Sequence, residues 1–174
     1  MGGRAWWVID WQERLVPAMP EVVRVDALKA ATNAVWYAET LGEPVWTSEQ
    51  YPQGLGPTVQ ALAGRRTFAK THFSCLDDPA MCAAFEDLAP SHVLLVGMEA
   101  HICVASTALG LAARGVEVTV LSDAVLSRRK ADWRCALDHL RAQGIEVLPS
   151  ETVLLRDLKV AAGPVFKELS RRIR

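Results

Sequence analysis

Apolar runs of strand length that alternate with longer helical patterns constrain the fold of this chain more than any other feature. The strand-like runs occupy residues 5–10, 44–50, 65–70, 92–98, 116–123 and 145–150. Helical spacing of apolar residues is clearest between them, at 22–41, 78–88, 101–114 and 129–143. Apolar strands separated by helices are typical of a parallel sheet covered on both faces. The pattern predicts an α/β protein with a three-layer (α/β/α), doubly wound, Rossmann-like fold around a six-stranded, mainly parallel sheet.

The length and the charge of the chain limit its partners. A chain of 174 residues suits one domain spanning 1–174, because domains commonly run from about 100 to 200 residues. The formal net charge of −1 gives no long-range attraction to nucleic acid or to an anionic membrane. We therefore expect a small-molecule substrate, with no nucleic acid and no membrane as partner. The apolar run before Asp10 is also too short for a signal-peptide core or a membrane span.

The spacing of cysteines and histidines argues against a metal site. The four cysteines form no CxxC pair and the four histidines form no HxxxH or HExxH pattern, which are spacings of common zinc sites. No GxGxxG joins a strand to a helix, and no GxxxxGK[ST] is present, so neither a dinucleotide nor a P-loop nucleotide is expected. We predict no metal, no cofactor, and reduced cysteines in a cytoplasmic protein.

Residues with reactive side chains stand at the ends of three predicted strands. Asp10 ends the first run, Lys70 ends the third, and Cys103 follows the strongly apolar run at 92–98. Ligands of parallel α/β sheets bind outside the carboxyl ends of the strands, so the three side chains are expected at one edge. Each has a plainer interpretation when taken alone. Asp10 would be a cap or turn residue, Lys70 a solvated surface lysine, and Cys103 a small apolar residue of a packed helix.

An acid, a base and a thiol at one sheet edge together favour catalysis. Cys103 lies near the start of a predicted helix, where free N–H groups and the helix dipole favour thiolate over thiol. A lysine beside the thiol would hold it near its anionic form, and an aspartate could transfer its proton. The arrangement predicts Cys103 as a nucleophile.

Several separated segments, in a fixed order, carry a family signature. They are VIDWQERLVPAM (8–19), TSEQYPQGLGPTV (47–59), KTHFS (70–74), GMEAHICVASTALGLAARGVEVTVLSDAVLSR (97–128), SETVLL (150–155) and PVFKELSRRI (164–173). Together they resemble the isochorismatase-like cysteine hydrolases, and most closely the isochorismatase-domain-containing proteins. The similarity covers nearly the whole chain.

The resemblance implies a mechanism and a catalytic triad, which here is Asp10, Lys70 and Cys103. In the family the cysteine attacks a carbonyl or related carbon, and the aspartate accepts its proton and passes it to the leaving amine. The lysine stabilises the charged pair, and water then hydrolyses an acyl-enzyme.

Backbone and pocket positions also follow from the resemblance. Family members hold a non-proline cis peptide bond shortly before the nucleophile, here Met98–Glu99. The backbone N–H groups of Glu99 and Cys103 would then form the oxyanion hole. The resemblance also implies Gln12, Glu49, Gln50 and Tyr51 as substrate contacts, although Glu49 and Gln50 fit a solvated loop as readily. Trp11, beside Asp10, is expected to form a wall of the pocket. The family usually forms homo-oligomers, and we expect the same here.

Two departures from the family narrow the activity. The nicotinamidase branch binds a metal through histidines after the second strand, but TSEQYPQGLG (47–56) contains none. The ether-cleaving isochorismatases lack the nucleophilic cysteine, whereas Cys103 is present. The resemblance therefore implies a metal-independent cysteine hydrolase of a small amide-like substrate. The alternative is a non-catalytic oligomeric scaffold or binding protein that retains the hydrolase fold.

Other polar residues have plainer interpretations. His101 is expected to be structural or at the pocket rim, because its position on the helix turns it away from Cys103. Asp123 is expected to cap a helix or hold a turn. Tyr51 packs against its neighbours as readily as it contacts substrate.

Overall fold

A sheet of six parallel strands forms the centre of the protein, for which a computed structural model describes residues 2–174. The strands are β1 (Arg4–Ile9), β2 (Val45–Gln50), β3 (Arg66–Lys70), β4 (His92–Met98), β5 (Glu117–Leu126) and β6 (Glu146–Leu148). Their order is β3-β2-β1-β4-β5-β6, and every neighbouring pair is parallel. The predicted α/β fold is confirmed, with a wholly parallel sheet where a mainly parallel one was expected.

Helices cover both faces of the sheet. They are α1 (Glu21–Thr40), α2 (Pro52–Leu55), α3 (Pro79–Leu88), α4 (Ala105–Ala113), α5 (Lys130–Ala142), α6 (Ser150–Leu158) and α7 (Gly163–Arg172). Short 3-10 turns lie at Val16–Ala18, Gln60–Leu62 and Cys75–Asp77, and a π-helical turn lies at Ala100–Val104. Helices α3, α4 and α5 pack on one face, and α1, α6 and α7 on the other. The three layers therefore enclose two apolar cores.

The strand β1 shows why the central runs are apolar at every position. Successive side chains of a strand point to opposite faces, so Trp7 and Ile9 enter one core while Trp6 and Val8 enter the other. Trp7 stacks on Trp46 of β2, with ring centroids 5.7 Å apart. Because helices cover both faces, neither set of side chains meets water.

The order of the strands reverses between β1 and β4, and the two backbones approach closely there. Gly97 of β4 pairs with Ile9 of β1 and has a φ of +144°. A Cβ atom at Gly97 would lie 2.2 Å from the carbonyl oxygen of Ile9, so a glycine is required. Ligands of doubly wound sheets bind at this switch point, and Asp10 and Glu99 are the residues that follow the two strands.

Two predicted elements differ from the structure. Strand β5 continues to Leu126 instead of ending at Asp123, because its pairing with β4 resumes after a register shift and joins Val125 to Gly97. Asp123 therefore lies within a strand, which corrects its expected place in a turn. Its carboxylate accepts hydrogen bonds from the Ser150 N–H and hydroxyl, each at 2.7 Å. Asp123 thus caps α6 from another element.

The helix expected over 101–114 begins differently. Its first turn is the π-helical turn Ala100–Val104, and α4 follows only from Ala105.

Across residues 2–174, no helix combines the length and the apolarity needed to cross a membrane.

Candidate active site

Asp10 lies immediately after β1 and is fully buried. Its φ is +54°, a left-handed conformation that aspartate adopts more readily than most residues. The Asp10 N–H donates to the Ser48 carbonyl at 3.0 Å. The carboxylate accepts from the Ser48 hydroxyl through Oδ1 at 2.7 Å and from Lys70 Nζ through Oδ2 at 2.8 Å. Both carboxylate oxygens are therefore held in fixed positions.

Lys70 is the last residue of β3 and is only 2% exposed. Its Nζ also donates to Gln50 Oε1 at 2.6 Å and to the His72 carbonyl at 3.2 Å. Burial lowers the pKa of Lys70, but the charge of Asp10 and the hydrogen bond to it act in the opposite direction, and the net pKa is raised. The interpretation of Lys70 as a solvated surface lysine is therefore wrong, and Lys70 is a buried cation.

Cys103 lies in the π-helical turn after β4 and is 6% exposed. Burial and the negative charge of Asp10 raise the pKa of its thiol to about 12, although the charge of Lys70 acts to lower it. At neutral pH Cys103 is therefore a neutral thiol. This corrects the expectation of a stabilised thiolate, because Lys70 is already neutralised by Asp10 at 2.8 Å.

The turn that carries Cys103 is anchored at Glu99. The Met98–Glu99 peptide bond is cis, as the resemblance implies. The Glu99 carbonyl accepts from the N–H groups of Ile102 at 3.1 Å and Val104 at 3.2 Å. The Glu99 carboxylate accepts from the Arg128 backbone N–H at 2.9 Å and from Arg128 Nε at 3.0 Å. These contacts tie the turn to the segment that follows β5.

A small cavity of about 120 Å³ opens at the switch point and brings several of these residues together. Its polar lining consists of Asp10, Gln50, Glu99 and Cys103. Its apolar lining consists of Leu15, Leu55, Phe73 and Ile102. Lys70 lies beneath, bonded to Asp10 and Gln50. The arrangement places a thiol, a carboxylate and a buried ammonium at one ligand-sized opening.

Of the residues expected at the substrate pocket, Gln50 lines this cavity, whereas Gln12, Trp11 and Tyr51 do not. Trp11 is fully buried in the core beneath α1. The Gln12 amide bonds to backbone groups of Gln50 and Gly56, so it is committed to holding the loop after β2. Tyr51 lines a separate groove beside Lys70. Their proximity to the triad in sequence does not bring their side chains to Cys103. The segments after β1 and β2 pair with each other, through Gln12 with Thr58, and this pairing holds Trp11 and Gln12 away from the cavity.

Ser48 and Cys75 belong to the site although the sequence reasoning did not select them. Ser48 is buried, pairs with Ile9 across the β1–β2 ladder, and bonds to Asp10. The Cys75 Sγ lies 3.6 Å from the Ser48 hydroxyl. The feature that identifies Ser48 is a hydroxyl side chain near the end of a buried strand, paired with Ile9, the residue before Asp10. No comparable signal marked Cys75.

The remaining polar groups near the site have protein partners. Glu49 Oε1 accepts from the Thr58 N–H and hydroxyl, at 2.7 and 2.8 Å. His101 Nδ1 lies 2.9 Å from the Ser127 hydroxyl, in agreement with the structural role expected for it. Across the described part of the chain, no three histidine, cysteine or acidic residues are placed to hold a metal ion.

Comparison with known proteins connects this geometry to a family. The model of the Isochorismatase domain family matches residues 5–152. Isochorismatase domain-containing protein 1 of Salmo salar is 39% identical over 168 residues, which are 95% of this chain but 59% of that protein. Isochorismatase domain-containing protein 2 of Homo sapiens is 36% identical over 179 residues, covering 99% of this chain and 84% of that protein.

A solved structure gives the same relationship in three dimensions. The structure described as MAR1 ribonuclease from Caenorhabditis elegans superposes with a TM-score of 0.88 at 31% identity, covering 99% of this chain and 90% of that one. With the family match over most of the chain, the shared fold and the two relatives, this chain belongs to the isochorismatase family.

Proposed function

We propose that this protein is a metal-independent cysteine hydrolase that cleaves a small amide-like substrate through a covalent acyl-enzyme. The observation that carries the proposal is the fully buried Asp10–Lys70 ion pair beneath the cavity that exposes Cys103. Burying two charges costs desolvation energy and is a poor source of stability. Buried, paired charges beside a nucleophile in a cavity are instead typical of a catalytic site.

The first half of the reaction forms the acyl-enzyme. The Cys103 thiol is protonated at rest, so its proton passes to the Asp10 carboxylate as the Sγ–C bond forms. The carbonyl π electrons move to the oxygen, which becomes an oxyanion. When this intermediate collapses, the C–N bond breaks, its electron pair leaves on nitrogen, and Asp10 returns the proton to the departing amine.

The second half of the reaction releases the acid. Water attacks the thioester carbon and gives a proton to Asp10, and the C–S bond then breaks. The sulfur takes the proton back from Asp10, which restores the neutral thiol and the free carboxylate. The balance is one amide and one water consumed, with one carboxylic acid and one amine produced.

Other groups support these steps from fixed positions. Lys70 keeps a positive charge 2.8 Å from Asp10 Oδ2 and so offsets the charge of Asp10 whenever that residue is ionised. The backbone N–H groups of Glu99 and Cys103 are the proposed oxyanion donors. An oxyanion donor is typically worth about 3 to 4 kcal/mol of barrier. Ser48 positions the Asp10 carboxylate through Oδ1.

The donor set beside the cavity suits a mechanism without a resident metal or cofactor. After β2, where the nicotinamidase branch has metal-binding histidines, Glu49 bonds to Thr58 and Gln50 bonds to Lys70. These oxygens are already used by protein partners. In the proposed reaction these side chains therefore serve as structural partners and not as metal ligands.

Trapping the acyl-enzyme tests the proposal. The protein is mixed with p-nitrophenyl acetate and quenched in acid, and the acetylated peptide is identified by mass spectrometry. We expect the acetyl group on Cys103, and Cys103→Ala is expected to lose both the label and the turnover. Cys135→Ala removes an exposed thiol and is the matched control, which is expected to retain both. Absence of label on Cys103, or turnover by Cys103→Ala, would refute the proposal.

The alternative is a non-catalytic scaffold that retains the fold. It is favoured if neither esters nor amides acylate Cys103.

We also propose that the chain forms a homo-oligomer, which exposed valines near the start of α1, Val22 and Val25, support. Light scattering coupled to gel filtration measures this state independently of activity, and a monomer at micromolar concentration would refute it.

A small molecule is the proposed substrate rather than RNA, although the Caenorhabditis elegans neighbour is described as a ribonuclease. The net charge of −1 supplies none of the phosphate attraction that dominates nucleic-acid binding. Cleavage of a labelled single-stranded RNA that depends on Cys103 would contradict this assignment.

The four cysteines are free thiols, which supports the proposed cytoplasmic location.

A further inference from the structure

The cavity above Cys103 has an apolar rim built from four separate segments. Leu15 follows β1, Leu55 lies in α2 after β2, Phe73 follows β3, and Ile102 follows β4. Each of the segments that follow β1, β2, β3 and β4 therefore contributes one apolar side chain to the same opening. Phe73 is 60% exposed, although loops of this kind usually present polar side chains to water. Convergence of apolar side chains at an opening is typical of ligand sites.

The floor of the same cavity is polar, but its charges are already paired. Asp10 is bonded to Lys70 and Ser48, and Glu99 is bonded to Arg128. The Gln50 side chain accepts from Lys70 and donates to the Thr71 carbonyl at 2.9 Å. Lys70 is the cation that lies against the floor, and its side chain has no solvent exposure. An anionic group in the cavity would therefore face two carboxylates whose neighbouring cations, Lys70 and Arg128, are already bonded to them.

We infer that the cavity selects an uncharged amide or ester whose body is apolar. The inference rests on the proposed function, since it names the substrate class of the same site. The apolar rim binds the body of the substrate, and the thiol of Cys103 reaches its carbonyl carbon. Substrates with a carboxylate on the acyl group are rejected, because that group would lose its hydration and meet Asp10 and Glu99.

The size of the cavity limits the apolar body. Its volume is about 120 Å³, which is close to the roughly 150 Å³ of an engineered apolar cavity that binds benzene. The acyl group therefore contains about six heavy atoms or fewer where it is enclosed. Each methylene that becomes buried is expected to raise kcat/KM about fourfold until the cavity is full.

A pair of alkylating agents of similar size tests the charge selection without requiring turnover. Iodoacetamide is neutral and iodoacetate is anionic, and both transfer a two-carbon group to sulfur with loss of iodide. Rates at Cys103 and at the exposed Cys135 are measured in the same sample by peptide mass spectrometry. We expect the iodoacetamide-to-iodoacetate rate ratio to be at least tenfold larger at Cys103 than at Cys135. Equal ratios at the two cysteines would overturn the inference.

Charge placed on the rim is expected to change this ratio in a predictable direction. Phe73→Lys puts a cation at an exposed rim position and is expected to lower the ratio at Cys103 roughly threefold. Phe73→Glu is expected to raise it. Val160→Lys is the matched control, because Val160 is similarly exposed. It lies three residues after Asp157, which bonds to Arg4 at the opposite end of the strands. An unchanged ratio in both Phe73 variants would contradict the rim assignment.

Hydrolysis of an ester series tests the apolar selection. p-Nitrophenyl acetate, propionate and butyrate are compared with the mono-p-nitrophenyl ester of succinate, whose acyl group is anionic. We expect kcat/KM to rise along the neutral series and to be at least tenfold lower for the succinate ester than for butyrate. A flat series or a preferred succinate ester overturns the inference while the proposed function stands. Absence of Cys103-dependent turnover refutes the proposed function, and the alkylation ratio then decides the inference.

Discussion

Lys70 Nζ lies 2.8 Å from Asp10 Oδ2, and the side chains of both residues have no solvent exposure. The two residues come from β3 and from the end of β1, with β2 between them. Residues of β2 bond to both partners, since Ser48 donates to Asp10 and Gln50 accepts from Lys70. The ion pair is therefore part of a network that joins the carboxyl ends of three strands beneath Cys103.

Removing one partner of this ion pair is expected to destabilise the protein strongly. Lys70→Met leaves Asp10 buried without its counter-charge, which typically costs about 3 to 5 kcal/mol of unfolding free energy. Asp10→Asn combined with Lys70→Met removes both charges and is expected to cost less than the sum of the single changes. Urea denaturation of the wild type, of the Asp10→Asn and Lys70→Met single variants and of the double variant measures the coupling. Additive losses would indicate that the two side chains do not interact energetically.

The reactivity of Cys103 towards iodoacetamide is expected to depend steeply on pH. Burial raises the pKa of this thiol to about 12, so below that value the reactive thiolate fraction increases about tenfold for each pH unit. We therefore expect the alkylation rate at Cys103 to rise from pH 7 to pH 10 without levelling off. Rates are followed by peptide mass spectrometry, with Cys135 in the same digest as a reference for the reagent. A plateau below pH 8 would contradict the neutral resting thiol.

Ser48 is expected to act by positioning Asp10. Ser48→Ala removes a hydrogen bond of 2.7 Å to a carboxylate, and such bonds are worth about 1.5 to 3 kcal/mol. If that energy is used to orient Asp10, kcat for p-nitrophenyl acetate falls roughly ten- to hundredfold with little change in KM. Ser48→Thr retains the hydroxyl and is expected to restore much of kcat. A change confined to KM, or no rescue by threonine, would argue against positioning.

Gly97 is expected to tolerate no larger residue. A Cβ at this position would lie 2.2 Å from the Ile9 carbonyl oxygen, so Gly97→Ala must separate β1 from β4. We expect a loss of at least about 2 kcal/mol of stability, which lowers Tm by roughly 4 to 8 °C in a chain of this size. Gly3→Ala is the control, because a Cβ there meets no atom within 4 Å. Equal Tm values for the two variants would refute the close approach.

The sequence by itself determined the fold and the edge at which the site lies. Apolar runs such as 92–98 predict buried parallel strands, because a strand covered on both faces favours apolar side chains at successive positions. Asp10 and Lys70 end two such runs, and parallel strands bring their carboxyl ends to one edge. The apolar pattern and the parallel direction of the strands suffice for these two conclusions. Neither conclusion requires knowledge of which strands are neighbours.

Only the tertiary structure decided the state of the thiol and the lining of the cavity. The pKa of Cys103 depends on its burial and on how close Asp10 lies to Lys70, which are distances between separate strands. The sequence placed both Lys70 and Asp10 near the thiol, but it did not show that Asp10 lies 2.8 Å from Lys70 and neutralises its charge. Likewise Leu55 and Phe73 meet at one rim, whereas Trp11 turns into the core. Side-chain direction after a strand is set by loop geometry and packing, and neither is encoded in local apolar periodicity.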